Sequence, residues 1–84
     1  MNQEQWLRRE ILEALTMVAP ETDTDALNST SSFRDQLGID SIDHLNFIIG
    51  LEKRLDVRIA EADHHKLSSL QGCLDYLQRV LKAA

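Results

Sequence analysis

Leu37-Gly38-Ile39-Asp40-Ser41-Ile42-Asp43 is the stretch on which the reading of this chain turns. Gly38 closes a long polar segment, and an amphipathic run opens at Ile42 and continues to Leu55. Between them, Asp40 or Ser41 can cap a helix, because a short side-chain oxygen accepts from the free N–H groups of a first turn. Ser41 is therefore expected at a helix N-terminus, hydroxyl exposed, at the positive end of the helix dipole. A phosphate ester on that hydroxyl would be electrostatically favourable. Spacing alone leaves a second reading open, in which the two residues only cap a helix.

Toward the C-terminus, the helix from Ser41 to about Leu55 carries two apolar stripes. At about 100° per residue, Phe47, Ile48, Leu51 and Leu55 fall on one face. Ile42, Leu45 and Ile49 fall on a neighbouring one, with Asp43, Asn46 and Lys53 along the adjoining polar side. A helix of a small bundle needs one stripe for its core. The second must cover a loop, a partner or a cargo, unless the helix is buried more deeply than is usual. Asp56-Val57-Arg58-Ile59 then reads as extended, and a short helix is expected at about Glu61 to Lys66, too short to hold without tertiary packing. A last helix opens with Ser68-Ser69-Leu70-Gln71, a capping-box pattern expected to pair Ser68 with Gln71. Its stripe is Leu70, Cys73, Leu74, Leu77, Val80 and Leu81.

Toward the N-terminus, Glu21 to Gln36 is a long loop rich in Asp, Asn, Ser and Thr, with Leu27 and Phe33 as its expected anchors and a short turn near Asp25-Ala26-Leu27. Before it, Leu7, Ile11, Leu15 and Val18 recur at helical spacing, broadened by Leu12 and Ala14, with Trp6 at the edge. That helix runs from near Gln3 to Val18, with Arg8, Arg9, Glu10 and Glu13 facing water. Pro20 stops it, because the residue before a proline is pushed out of the α region.

These elements bound the fold. Eighty-four residues make one domain, spanning 1–84, that buries roughly 60% of its unfolded surface. The fold class is all-α: a small four-helix bundle of three principal helices and one short one, with a long loop after the first. At 43% hydrophobic and 27% charged, the composition is that of an ordinary soluble protein. No run of about 18 apolar residues occurs, so no stable membrane insertion is expected. Met1-Asn2-Gln3-Glu4-Gln5 lacks the basic and apolar regions of a signal peptide. A single cysteine forms no internal disulfide, which fits a cytoplasmic location. The formal net charge of -5 argues against nucleic acid and favours basic protein partners met in transient encounters.

Three other constellations carry residue types capable of chemistry. Cys73 lies on the apolar stripe of the last helix and reads as a buried structural thiol, since reactive cysteines need an electropositive, exposed site. Asp63, His64 and His65 could suggest a metal. Adjacent histidines on a helix diverge, however, and no second His/Cys cluster supplies four converging ligands. His44 follows Ser41 by one turn, so a nucleophilic pair is conceivable. No third orienting group or oxyanion hole accompanies it, and hydrolase catalysis is not expected.

Leu-Gly-x-Asp-Ser-hydrophobic followed by a helix resembles the attachment site of the acyl carrier protein family. The likeness extends through Gly50-Leu51-Glu52-Lys53-Arg54-Leu55-Asp56-Val57-Arg58-Ile59 and Ser68-Ser69-Leu70-Gln71-Gly72-Cys73-Leu74-Asp75-Tyr76-Leu77, and so over essentially the whole chain. The resemblance implies a monomeric carrier rather than an enzyme. A phosphopantetheinyl transferase would attach 4'-phosphopantetheine from coenzyme A to Ser41, with Asp40 helping to bind the metal ion in that complex. The arm's thiol would hold an acyl group as a thioester for acyl-transferring or acyl-activating enzymes of fatty acid, lipid or polyketide-like biosynthesis. Ile42, Asp43, Leu45, Asn46 and Ile49 would meet those partners. Phe47, Leu51, His64, Leu67 and Cys73 would line the acyl pocket, where His64 either swings out to water or reads a polar acyl chain.

There are departures. Asn46 replaces a usual acid, Lys53 and Arg54 stand where acids are common, and His44 adds to this. Ala60 stands where a proline is frequent, leaving the start of the short helix less fixed. The pattern implies a specialised carrier with dedicated partners. A peptidyl or aminoacyl carrier, or a helical interaction module without a prosthetic group, are the alternatives.

Overall fold

Buried apolar side chains from every helix converge on one core, and the computed structural model, which describes residues 2–83, shows how each helix reaches it. Helix α1 spans Gln3–Val18 and buries Leu7, Ile11, Ala14 and Leu15. Its start is a capping box: Asn2 Oδ1 accepts from the Gln5 N–H at 2.8 Å, and the Gln5 side chain accepts from the Asn2 N–H. The helix ends where the proline requires, with the Ala19 N–H on the Leu15 carbonyl. Glu10 and Glu13, expected to face water, both approach Arg54, Glu13 at 2.8 Å and Glu10 at 3.6 Å. Arg54 thereby ties α1 to its neighbour in the bundle.

The long connection holds an element that the periodicity does not reveal. Helix α2, Phe33–Leu37, is five residues long and capped by the Ser32 hydroxyl on the Asp35 N–H. Phe33 is fully buried, and its ring meets Phe47 edge-on with centroids 5.4 Å apart. Gln36 reaches back across the rest of the loop. Gln36 accepts from the Asn28 N–H and donates to the carbonyls of Asn28 and Ser31. Leu27 packs against the core as a partly buried anchor, and a turn closes between Asp23 and Ala26.

Helix α3 spans Ser41–Leu55 and packs across α1. Asp56 ends it in the left-handed region at φ 52°, and the loop returns at once: Glu52 Oε2 accepts from the Ile59 N–H at 2.9 Å. Ala60 adopts φ −62°, the angle that a proline would impose. The missing proline therefore leaves the following element in place. That element is a 3₁₀ helix over Glu61–Leu67, tighter than an α-helix, which packs on the last helix.

Helix α4 spans Leu70–Ala83. The expected pairing of Ser68 with Gln71 does not form. Ser69 is the residue that caps: its hydroxyl accepts from the Gly72 N–H at 3.0 Å and its carbonyl from the Cys73 N–H at 2.9 Å. The neighbours are diverted by the long loop, because the Ser68 carbonyl accepts from the Phe33 N–H and the Gln71 N–H donates to the Ser29 carbonyl. The Gln71 side chain turns forward to Asp75. A serine pair gives no sign, from sequence, of which member caps. Gly72 is a point of close approach between the 3₁₀ helix and α4, since a Cβ there would run into the Lys66 carbonyl oxygen.

Candidate functional site

The corner at Ser41 is assembled from three consecutive backbone decisions. Gly38 takes the left-handed conformation, φ 68°, and ends α2, its N–H bonding the Arg34 carbonyl. Ile39 turns into the core. Asp40 then caps α3: its Oδ1 accepts from the Asp43 N–H at 2.8 Å, and Asp43 Oδ2 accepts from the Asp40 N–H at 3.3 Å. Of the two capping candidates, Asp40 does the work and Ser41 is the first helical residue, with an exposed side chain. The reciprocal acid at Asp43 extends the usual Glu or Gln pattern to a shorter side chain.

His44 lies one turn along and is half-buried. Its Nε2 stands 2.9 Å from the Leu67 carbonyl, and its ring lies beside Phe47. The imidazole therefore pins α3 to the end of the 3₁₀ helix.

Next to Ser41 opens a cleft of about 230 Å³, lined by Arg34, His44, His64, His65 and Ser68 together with Ile39, Asp40 and Ser41. Of the five residues assigned to an acyl pocket, the structure brings His64 to this cleft. Phe47, Leu51, Leu67 and Cys73 are instead fully buried and packed together in the core. Burial pushes the Cys73 thiol far up from its ordinary range, and Sγ faces the Leu67 carbonyl at 3.6 Å, so it is held as an inert thiol. Sequence singles out His65 only as a metal candidate and Ser68 only as a cap, and it does not single out Arg34. Arg34 lies on α2, which periodicity does not show, so nothing in the chain signals its approach to Ser41.

The two stripes of α3 part company. Phe47, Ile48 and Leu51 are wholly buried, while Ile42, Leu45 and Ile49 are 68%, 46% and 37% exposed. Asn46 and Lys53 beside them are exposed, and Asp43 is half-buried in its cap. On the 3₁₀ helix, Asp63 accepts from the Tyr76 hydroxyl at 2.9 Å and pairs with Lys66 at 3.2 Å. The Tyr76 bond, then that to Lys66, holds the Asp63 carboxyl below its ordinary range. Burial, reinforced by Asp63, raises the Tyr76 phenol. No helix among the described residues is long and apolar enough to cross a membrane.

The family model described as the phosphopantetheine attachment site matches residues 5–77. The chain is 40% identical over 53 residues to the acyl carrier protein of Chlorobium phaeobacteroides, covering 63% of this chain and 68% of that one. It is 34% identical over 61 residues to the acyl carrier protein of Bdellovibrio bacteriovorus, covering 73% and 78%. Its backbone is similar to the solution structure of a candidate acyl carrier protein from Anaplasma phagocytophilum, with a TM-score of 0.77 at 21% identity over 93% of this chain and 89% of that one.

Proposed function

Since the chain belongs to the acyl carrier protein family, a family of carriers whose cofactor is 4'-phosphopantetheine, we propose that Ser41 is the residue that bears the arm. The observation that supports this is the placing of an exposed serine hydroxyl as the first residue of α3, directly after the Asp40 cap. The group fits: the hydroxyl is open to an approaching transferase, and a phosphodiester there meets the free N–H groups of a helix start. When bound, the arm supplies a thiol that holds an acyl group as a thioester.

The chain's own residues do the positioning. Asp40 fixes the turn and presents its carboxylate beside the hydroxyl, where it would contact the transferase's metal ion. Ile42, Leu45 and Ile49, with Asp43 and Asn46 at their edge, offer the surface on which the transferase and acyl-handling enzymes would dock. The acidic net charge suits basic partners. The protein itself performs no catalysis in this reading and works in the cytoplasm. A cargo sheltered among Phe47, Leu51, Leu67 and Cys73 would have to part α3 from the 3₁₀ helix, because these side chains fill the space between them.

The test is the intact mass after incubation with coenzyme A and a broad-specificity transferase. One phosphopantetheine is expected on the wild type and none on Ser41→Ala. A wild-type mass that stays unchanged, while a control carrier is loaded, would overturn the assignment.

A further inference from the structure

We infer that the cleft between α3 and the 3₁₀ helix is a subsite for the phosphodiester of the protein's own arm, held by Arg34, His64 and His65; this rests on attachment at Ser41. Two clefts share Ile39, one on the side of Gly38 and Asp43 and the other on the side of Asp40 and Ser41. The charged groups lining one are Glu21 and Asp43. The other is lined by Arg34 from α2, His44 from α3, and His64 and His65 from the 3₁₀ helix, against the single acid Asp40. An anion fixed to Ser41 by its ester oxygen meets the second, which Ser41 itself lines and which carries the cationic and imidazole groups.

The donors are available. Among the described residues, Arg34, His64 and His65 form no ion pair, whereas His44 spends Nε2 on the Leu67 carbonyl. His65 also lies within electrostatic reach of Asp63, so its share is divided. Asp40 opposes the anion, but its Oδ1 is already bonded to the Asp43 N–H. Guanidinium is always charged, and its planar fork matches two oxygens of a phosphate. An imidazole N–H donates to a phosphate oxygen even when the ring is neutral, so the subsite does not depend on histidine charge. At about 230 Å³ the cleft lies below the roughly 300–1,000 Å³ of pockets for drug-sized ligands, which suits a headgroup and not an acyl chain.

The experiment compares apo and arm-loaded protein by NMR, with loading verified by mass. In the loaded wild type, the Arg34 Nε–H and the His64 and His65 ring signals are expected to move, though they stand on other helices than Ser41. In Arg34→Gln/His64→Gln/His65→Gln, loaded to the same mass, the phosphorus line is expected to narrow as the phosphate is released. Arg34→Gln alone, at an exposed helix position, gives the same test should the triple variant fold poorly. If the arm is on Ser41 by mass, yet those signals match the apo protein and the phosphorus lines do not differ, the subsite is refuted and attachment stands. If no mass is gained, attachment itself has failed, and the subsite with it.

Discussion

Two glycines of this chain differ in what a methyl group would meet, and the difference predicts opposite outcomes. At Gly72 a methyl group would meet the Lys66 carbonyl oxygen, a backbone atom that cannot swing away. Gly72→Ala should force α4 from the 3₁₀ helix and cost roughly 1–3 kcal/mol, the usual range for overpacking. At Gly50, within α3, the nearest atom to a new methyl is the Ala14 Cβ at 3.8 Å, an ordinary contact. Gly50→Ala should therefore stabilise by about 0.5–1 kcal/mol through helix propensity. Denaturant midpoints of the two variants check both signs. The same scale shows what a sequence can reveal. Ser41 was legible because a cap, a glycine and an apolar run are all local. Its cleft was not, since Arg34 and His64 stand on other helices and reach Ser41 only through packing. Ser69, not Ser68, caps α4 for a similar reason: the choice is made by carbonyls and N–H groups of the loop at Ser29 and Phe33.

Among the elements, α3 was legible nearly to the residue, because fifteen positions hold two readable stripes. Helix α2 was not, because five residues with one buried side chain carry no period to read. The stripes of α3 supply the next prediction. Leu45→Glu and Ile49→Glu alter exposed positions and should change stability by no more than about 0.5 kcal/mol. Turnover by a partner enzyme should fall. Leu51→Ala, on the buried stripe, should instead cost about 2–5 kcal/mol. Thermal melts beside a transferase assay separate the two faces. A steep loss of stability in Leu45→Glu would mean that this face is covered.

For the whole molecule, the seam between the 3₁₀ helix and α4 links stability to pH through Asp63 and Tyr76. The Asp63 carboxyl is held below its ordinary value, so its contribution is present above pH 3.8 or so and is lost as the pH falls through the lowered value. The Tyr76 phenol is held above its ordinary value, so its contribution is present below pH 10.0 and is lost as the pH rises through the raised one. Tyr76→Phe should thus lower the melting temperature at neutral pH. The gap to wild type should close toward both extremes. Melting curves across pH check this, and a gap independent of pH would rule out the Asp63 bond as its source.

The corner at Ser41 is braced on both sides, by the left-handed Gly38 with Ile39 buried behind it and by the reciprocal Asp40–Asp43 cap. An arm fixed there would pivot on a braced backbone, so the region it sweeps would be bounded by its own length and by the protein wall behind it. Ile42 and Leu45 begin within one turn of that pivot. A partner that settles on them even briefly confines the arm's end to a small shared volume, raising its effective concentration far above that in bulk. Weak docking is then sufficient for delivery, and a short-lived complex lets the carrier move on to the next enzyme.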